Sequence, residues 1–158
     1  MNLIRLTLIF SLLASAGCTQ SSESFARRSR LWASWARNIH WIAAICLIST
    51  QHPLPDNATP AQIAKEWEDS RIDAQEMPAQ AAALRKAFNN IGQPPDDLRD
   101  VYETMKTITE MNEQIIARLI NRRGDTPSEV WASIEHLSHR SDQLMDVLKL
   151  RIPLAFQP

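Results

Sequence analysis

Arg122-Arg123-Gly124-Asp125-Thr126-Pro127-Ser128-Glu129 is the stretch that decides the fold. Two cations followed by glycine end a helix: the arginines complement the negative end of its dipole, and glycine readily takes the left-handed conformation that closes it. Thr126 then caps the next helix, Pro127 takes its first position, where no backbone N–H is needed, and Glu129 completes a capping box. A stop and a start this close together force the two helices to run in opposite directions.

Working outward, the apolar residues keep a helical period on both sides of the turn. Upstream the stripe is Leu98, Val101, Met105, Ile108, Asn112, Ile115 and Leu119; downstream it is Val130, Ile134, Leu137, Ser141, Leu144 and Leu148. Tyr102, Met111, Ile116 and Ile120 widen the upstream stripe, as in a helix that is central or that offers a second apolar face. Pro94-Pro95-Asp96-Asp97 marks that helix's start, because acidic residues suit the positive end of the dipole. Further upstream Thr59-Pro60-Ala61-Gln62 forms another capping box. It opens a stripe of Ile63, Trp67, Ser70, Ala74, Met77, Ala81, Leu84, Phe88 and Ile91 that runs through Pro78 and closes at Gly92. One helix kinked at Pro78, or two short helices end to end, is expected. No strand pattern appears. The predicted fold is all-α, an antiparallel three-helix bundle over residues 59–152, entered through a proline-bearing linker at 51–58.

Polar residues interrupt the stripes at Ser70, Asn112 and Ser141. Across the Gly124 turn, Asn112 and Ser141 fall within about one helical turn of each other, at about 3.6 residues per turn. They are expected to form a polar core layer that sets register at some cost in stability. His136 and His139 stand at i and i+3 without a third ligand. Flanking the core position Leu137, they are expected on a solvated face, so no metal is assigned and no cofactor is implied. Trp67 and Trp131, each near a helix start, read as packing residues.

The chain before the linker differs in charge. Residues 1–50 carry five Lys or Arg against one acidic residue, and residues 51–158 carry twelve against seventeen, so +4 is followed by −5. Arg5 and the apolar run Leu6 to Ala14 read as an export signal over residues 1–18. Its end, Ser15-Ala16-Gly17-Cys18, resembles the lipobox of bacterial lipoproteins, which implies acylation of Cys18 and residence on the periplasmic side of the outer membrane. Ser15 departs from the leucine usual in that family, and Ala14-Ser15-Ala16 also suits ordinary signal peptidase, which would leave a periplasmic protein.

Residues 19–50 have two readings. Arg27, Arg28, Arg30 and Arg37 lead into the apolar run Ile39 to Ile48, as in a second signal-like leader whose true start lies near residue 27. Alternatively the segment lies on the membrane as an interfacial helix. Arg27, Arg30, Ser34 and Arg37 then form its polar face, and Trp32, Trp35, Ile39, Ile42 and Cys46 its apolar one. The expected partners are therefore a membrane, reached through the lipid anchor or the basic Trp-rich segment, and an envelope protein. The body has no basic face for nucleic acid, and three glycines leave no phosphate-cradling loop. Both cysteines, Cys18 and Cys46, precede residue 51, so the body forms no internal disulfide.

Several strings resemble the secreted, all-helical chorismate mutases over residues 60–148. Gln93 to Tyr102 is similar to that family's turn into the helix beginning "DP-x-x-V-x-x-VF", and Ser133-Ile134-Glu135-His136-Leu137 to its "x-ID-x-L". Ile63-Ala64-Lys65-Glu66-Trp67 and Ile72-Asp73 are similar to its "VA-x-x-KW" and "PIED". The resemblance implies a periplasmic mutase with Lys65 and Asp73 in its site. Three departures stand against it: Glu76 where an arginine is expected, Met105 where a glutamine is expected, and no counterpart of the first-helix arginine. The sequence thus leads to a non-enzymatic envelope adaptor or partner-binding module, with a divergent mutase and an immunity or inhibitor protein as alternatives.

Overall fold

A computed structural model describes the backbone of residues 3–157 and the side chains of residues 22–157. Five helices follow one another: α1 Leu3–Ser49, α2 Pro60–Ser70, α3 Met77–Asn89, α4 Arg99–Ile120 and α5 Pro127–Arg151. Short 3-10 turns occupy Asp96–Leu98 and Pro153–Ala155, and no strand occurs among the described residues. The all-helical expectation holds. The count of three helices does not, for two local reasons.

The first is the stripe drawn through Pro78. Arg71 takes φ 57° and ψ 20°, with its N–H bonded to the Glu68 carbonyl, and this left-handed residue ends α2. The chain turns through Asp73, whose Oδ1 accepts from the Gln75 N–H at 2.7 Å. Pro78 lies in the first turn of α3, where it costs no hydrogen bond. The helix is therefore interrupted before the proline rather than at it, and the two pieces are separate elements.

The second is α1. Phe25, Ser29, Trp32, Ala36, Ile39, Ala43 and Cys46 recur at alternating steps of four and three, and each is at most 2 % exposed. The segment expected as a leader or an interfacial helix thus contributes a core face to the bundle. Trp32, Ile39 and Cys46, expected to face lipid, are buried against protein, with Trp35 and Ile42 packed beside them. The Trp32 Nε1–H donates to Thr109 Oγ1 at 2.9 Å, and that hydroxyl donates to the Met105 carbonyl at 2.8 Å. The leading arginines are engaged as well. Arg28 Nε donates to the Ile91 carbonyl at 2.8 Å and Arg30 Nε to the Leu154 carbonyl at 2.9 Å, while Arg27 pairs with Glu23. Among the described residues no helix is long and apolar enough to cross a membrane.

Side-chain pairs fix the helix directions. Asp100 meets Arg151 and Arg118 meets Ser133, so α4 and α5 are antiparallel, as the turn between them predicts. In the same sense α1 opposes α3, through Arg28 with Ile91 and Asn38 with Gln80. It also opposes α5, through Arg30 with Leu154 and the close approach of His40 to Asp142 at 3.1 Å, which lacks hydrogen-bonding geometry. Ser22 with Asp97 and Trp32 with Thr109 make α1 parallel to α4. The body is therefore four helices, α1, α3, α4 and α5.

Helix α4 packs against all three others, which explains its wide stripe: Ile116 is buried, and Tyr102 stacks on Phe88 with centroids 4.9 Å apart. Across the α3–α4 seam Arg85 holds Glu113 with a two-pronged contact, Nε to Oε1 at 2.6 Å and Nη2 to Oε2. Gly92 and Gly124 both take the predicted left-handed conformation, at φ 76° and 74°. The Thr126–Glu129 capping box forms, with the Thr126 N–H 2.7 Å from Glu129 Oε2 and the Glu129 N–H 3.2 Å from Thr126 Oγ1.

Candidate binding groove

Helix α2 stands apart from this body, and the reason begins with its own capping. The Thr59–Gln62 box fixes its start and Arg71 its end, leaving 11 residues, too few to span the bundle. It is held instead at the end where the α4–α5 turn lies. Trp67, 7 % exposed, inserts there; its Nε1–H donates to the Asp125 carbonyl at 2.7 Å. The Arg122 guanidinium lies over the indole, Cζ 3.8 Å from a ring centroid, and its Nη2 donates to the Ile72 carbonyl at 3.0 Å. Asp125 is in turn held by Arg118. One tryptophan and one arginine therefore clasp α2, Ile72 beyond its end and the turn.

Burial perturbs the charges around this clasp. It pushes Arg122 below the usual arginine range, with Cys46 and Asp73 acting against it, and Arg122 Nη1 is buried without a partner among the described residues. Burial also raises the Glu66 carboxyl, with the Ser49 hydroxyl opposing. Cys46 is fully buried on α1, and its thiol is pushed up to about 11. It stays a protonated thiol at neutral pH.

Between α2 and the C-terminal end of α4 runs an open groove of about 730 Å³. Helix α2 turns Pro60, Ile63, Ala64 and Trp67 toward it, at the i, i+3, i+4, i+7 spacing of a single helix face. Ile72 and Ile120 continue the apolar lining, and Ile120 is 40 % exposed. Arg71, Arg122 and Arg123 supply positive charge, Glu68 and Asp73 negative. Asp73 is turned into its own loop through Gln75, whereas Arg71 and Arg123 have no ion-pair partner among the described residues.

The predicted site residues are placed as follows. Lys65 is exposed and paired with Asp69 at 2.9 Å, away from the groove that Asp73 lines, so the two are not brought together. Asn112 and Ser141 are both buried, at 0 % and 3 % exposure, but no hydrogen bond joins them, and neither amide atom of Asn112 meets a partner among the described residues. Their helices adjoin, yet the two side chains do not pair. The side chain of Cys18 lies outside the described residues. His136 is exposed, and His139 sits 3.6 Å from Glu135 with its ring edge-on to Trp131. Among the described residues no group of three or more His, Cys, Asp or Glu is placed to hold a metal.

Sequence reasoning placed Trp67 in the core and read Arg122 only as a helix-ending cation. The groove face was legible as the spacing of Pro60, Ile63, Ala64 and Trp67, but its second wall comes from residues far along the chain. Comparison with protein-family models, curated proteins and solved structures gave no match.

Proposed function

We propose that this protein is an exported, lipid-anchored module of the bacterial cell envelope that binds a partner protein rather than performing catalysis. The observation that carries this reading is the groove: an apolar helix face with Ile120 left exposed opposite it and two arginines uncommitted at its rim. Concave, mainly apolar surfaces with a few convergent polar groups are the usual form of a binding site. The export and anchor parts rest on the leader sequence. Cys18 precedes the first core residue, Phe25, by seven residues, about 10 Å of helix at about 1.5 Å per residue. A lipid there holds the body close to the bilayer. Cys46, near Arg122 beneath the groove, lies 28 residues from Cys18 along α1, roughly 40 Å of helix. The groove then lies at the end of α1 far from the anchor.

Two experiments test this. Palmitate labelling of the full chain in a bacterial host is expected to mark the wild type and not Cys18→Ser; equal labelling of both, or of neither, removes the anchor. A photo-crosslinker at position 120 is expected to give one discrete adduct in envelope-bearing cells, and the same group at exposed Lys106 is not. The groove reading fails if both positions give the same adducts or none.

A second reading, a divergent periplasmic chorismate mutase, draws on the three arginines around the same groove, since that chemistry needs cations converging on a dicarboxylate. Prephenate formation by the purified full chain, lost in Arg122→Ala, would favour it over the binding module.

A further inference from the structure

The groove's two walls and its charges specify what lies in it. One wall is the helix α2; the other is Ile120 at the end of α4 and the turn Arg122 to Gly124 that follows it. Within the groove lining there is no strand edge to pair with an extended peptide, so main-chain recognition of that kind has no template. A helix laid along α2 places side chains at i, i+3, i+4 and i+7 against Pro60, Ile63 and Ala64 on one side and Ile120 on the other. Helix α2 has 11 residues, about 16 Å at about 1.5 Å each, which matches three turns of an incoming helix.

Charge decides the sign of that helix. Three arginines face the groove against two acidic residues, Glu68 and Asp73, so its lining carries one net positive charge. Arg71 and Arg123 follow the C-terminal ends of α2 and α4, both exposed and neither ion-paired among the described residues. Arg122 is committed to Trp67 and Ile72. We infer that the groove takes a three-turn amphipathic helix from a partner protein, apolar on the side that meets Pro60, Ile63, Ala64 and Ile120 and acidic where it meets Arg71 and Arg123. This deepens the binding-module reading and rests on it.

The probe is a set of three helix-stapled 12-residue peptides titrated calorimetrically into the full chain. One carries a leucine row flanked by glutamates, the second replaces the glutamates with lysines, and the third replaces the leucines with serines. The acidic leucine peptide is expected to bind at least tenfold more tightly than either of the others. Arg71→Glu with Arg123→Glu, both exposed positions that leave the core intact, is expected to reverse the preference between the glutamate and lysine peptides. Equal binding of those two peptides, or a preference unchanged by the double variant, overturns the acidic partner. Binding by none of the three overturns the helical occupant. A groove-specific adduct from position 120 in that case leaves the binding module standing with a different occupant, whereas no adduct removes both.

Discussion

Trp32 and Trp67 do the same job in two regions that are built differently. Each is nearly or fully buried, and each satisfies its indole N–H, Trp32 through the Thr109 hydroxyl and Trp67 through the Asp125 carbonyl. Trp32 lies on the buried face by which α1 packs against α3, α4 and α5. Around Trp67 a single short helix is fastened by that side chain and the stacked Arg122, with Ile63 and Ile72 packed against the core. The body is therefore expected to unfold as one cooperative unit and the α2 end to open locally.

The largest effect expected from this contrast comes from removing α1. A chain of residues 51–158 leaves the apolar faces of α3, α4 and α5 without their partner and is expected to lose cooperative urea unfolding and near-UV dichroism. A chain of residues 19–158 is expected to keep both. A cooperative transition in the shorter chain would show that α1 is dispensable and would restore the reading of residues 19–50 as a removable leader.

Next in size are the tryptophans themselves. Trp32→Ala is expected to lower global stability by about 3–5 kcal/mol, the usual cost of emptying a large core site. Trp67→Ala is expected to release α2 with little change in global unfolding: amide exchange accelerates over 60–72 while α1 and α4 stay protected. If Trp67→Ala costs as much globally as Trp32→Ala, the two regions are one cooperative unit.

A gain rather than a loss is expected at Asn112. Its amide is buried without partners among the described residues, and an unsatisfied buried polar group costs about 1–3 kcal/mol, so Asn112→Leu is expected to raise the urea midpoint. A lower midpoint would mean that the amide is satisfied in solution and that the polar layer holds the bundle together.

The smallest effects concern pH, and they have opposite signs in the two regions. In the body, hydrogen bonding to Arg151 holds the Asp100 carboxyl below its ordinary value. That contribution is present above the unfolded pKa of about 3.9 and is lost as pH falls through the lower folded value. At the α2 end, burial raises the Glu66 carboxyl. Docking of α2 is therefore strongest where Glu66 is protonated and weakens as pH rises from its unfolded value, about 4.3, through its folded one. Glu66→Gln is expected to increase protection of α2 at pH 7 and to flatten its pH dependence. Amide exchange at pH 5 and pH 7 checks this, and no difference between wild type and variant would remove Glu66 from α2 docking.

Much of this was legible locally. The Thr59 and Thr126 caps, the left-handed Gly92 and Gly124, and the buried stripe from Leu98 to Leu119 depend on residues within one or two turns of each other, where short-range sterics and hydrogen bonds dominate. The third stripe was legible only in part. Leu137 and Leu144 are half-buried, while Trp131, Ser138 and Met145 are buried beside it, because α5 faces both α4 and α1. The groove was less legible still, since Trp67, Ile120 and Arg122 meet only after α2 has folded back onto a turn some 55 residues later in the chain.

What the sequence by itself determined is therefore the helical stretches after the linker, the caps at Thr59, Gly92, Gly124 and Thr126, and most of the inner faces, but not the break at Arg71. Only the tertiary structure decided what covers them. The apolar run of α1 suits a signal, a membrane surface or a protein core equally, because the hydrophobic effect rewards removal from water and does not specify the medium entered. Alanines and a serine at positions 29, 33, 36 and 43 carry little hydropathy, yet they are the close-packing residues that let α1 approach its neighbours. Their role follows from the shape of the opposing helices, and that shape is not a property of any single segment.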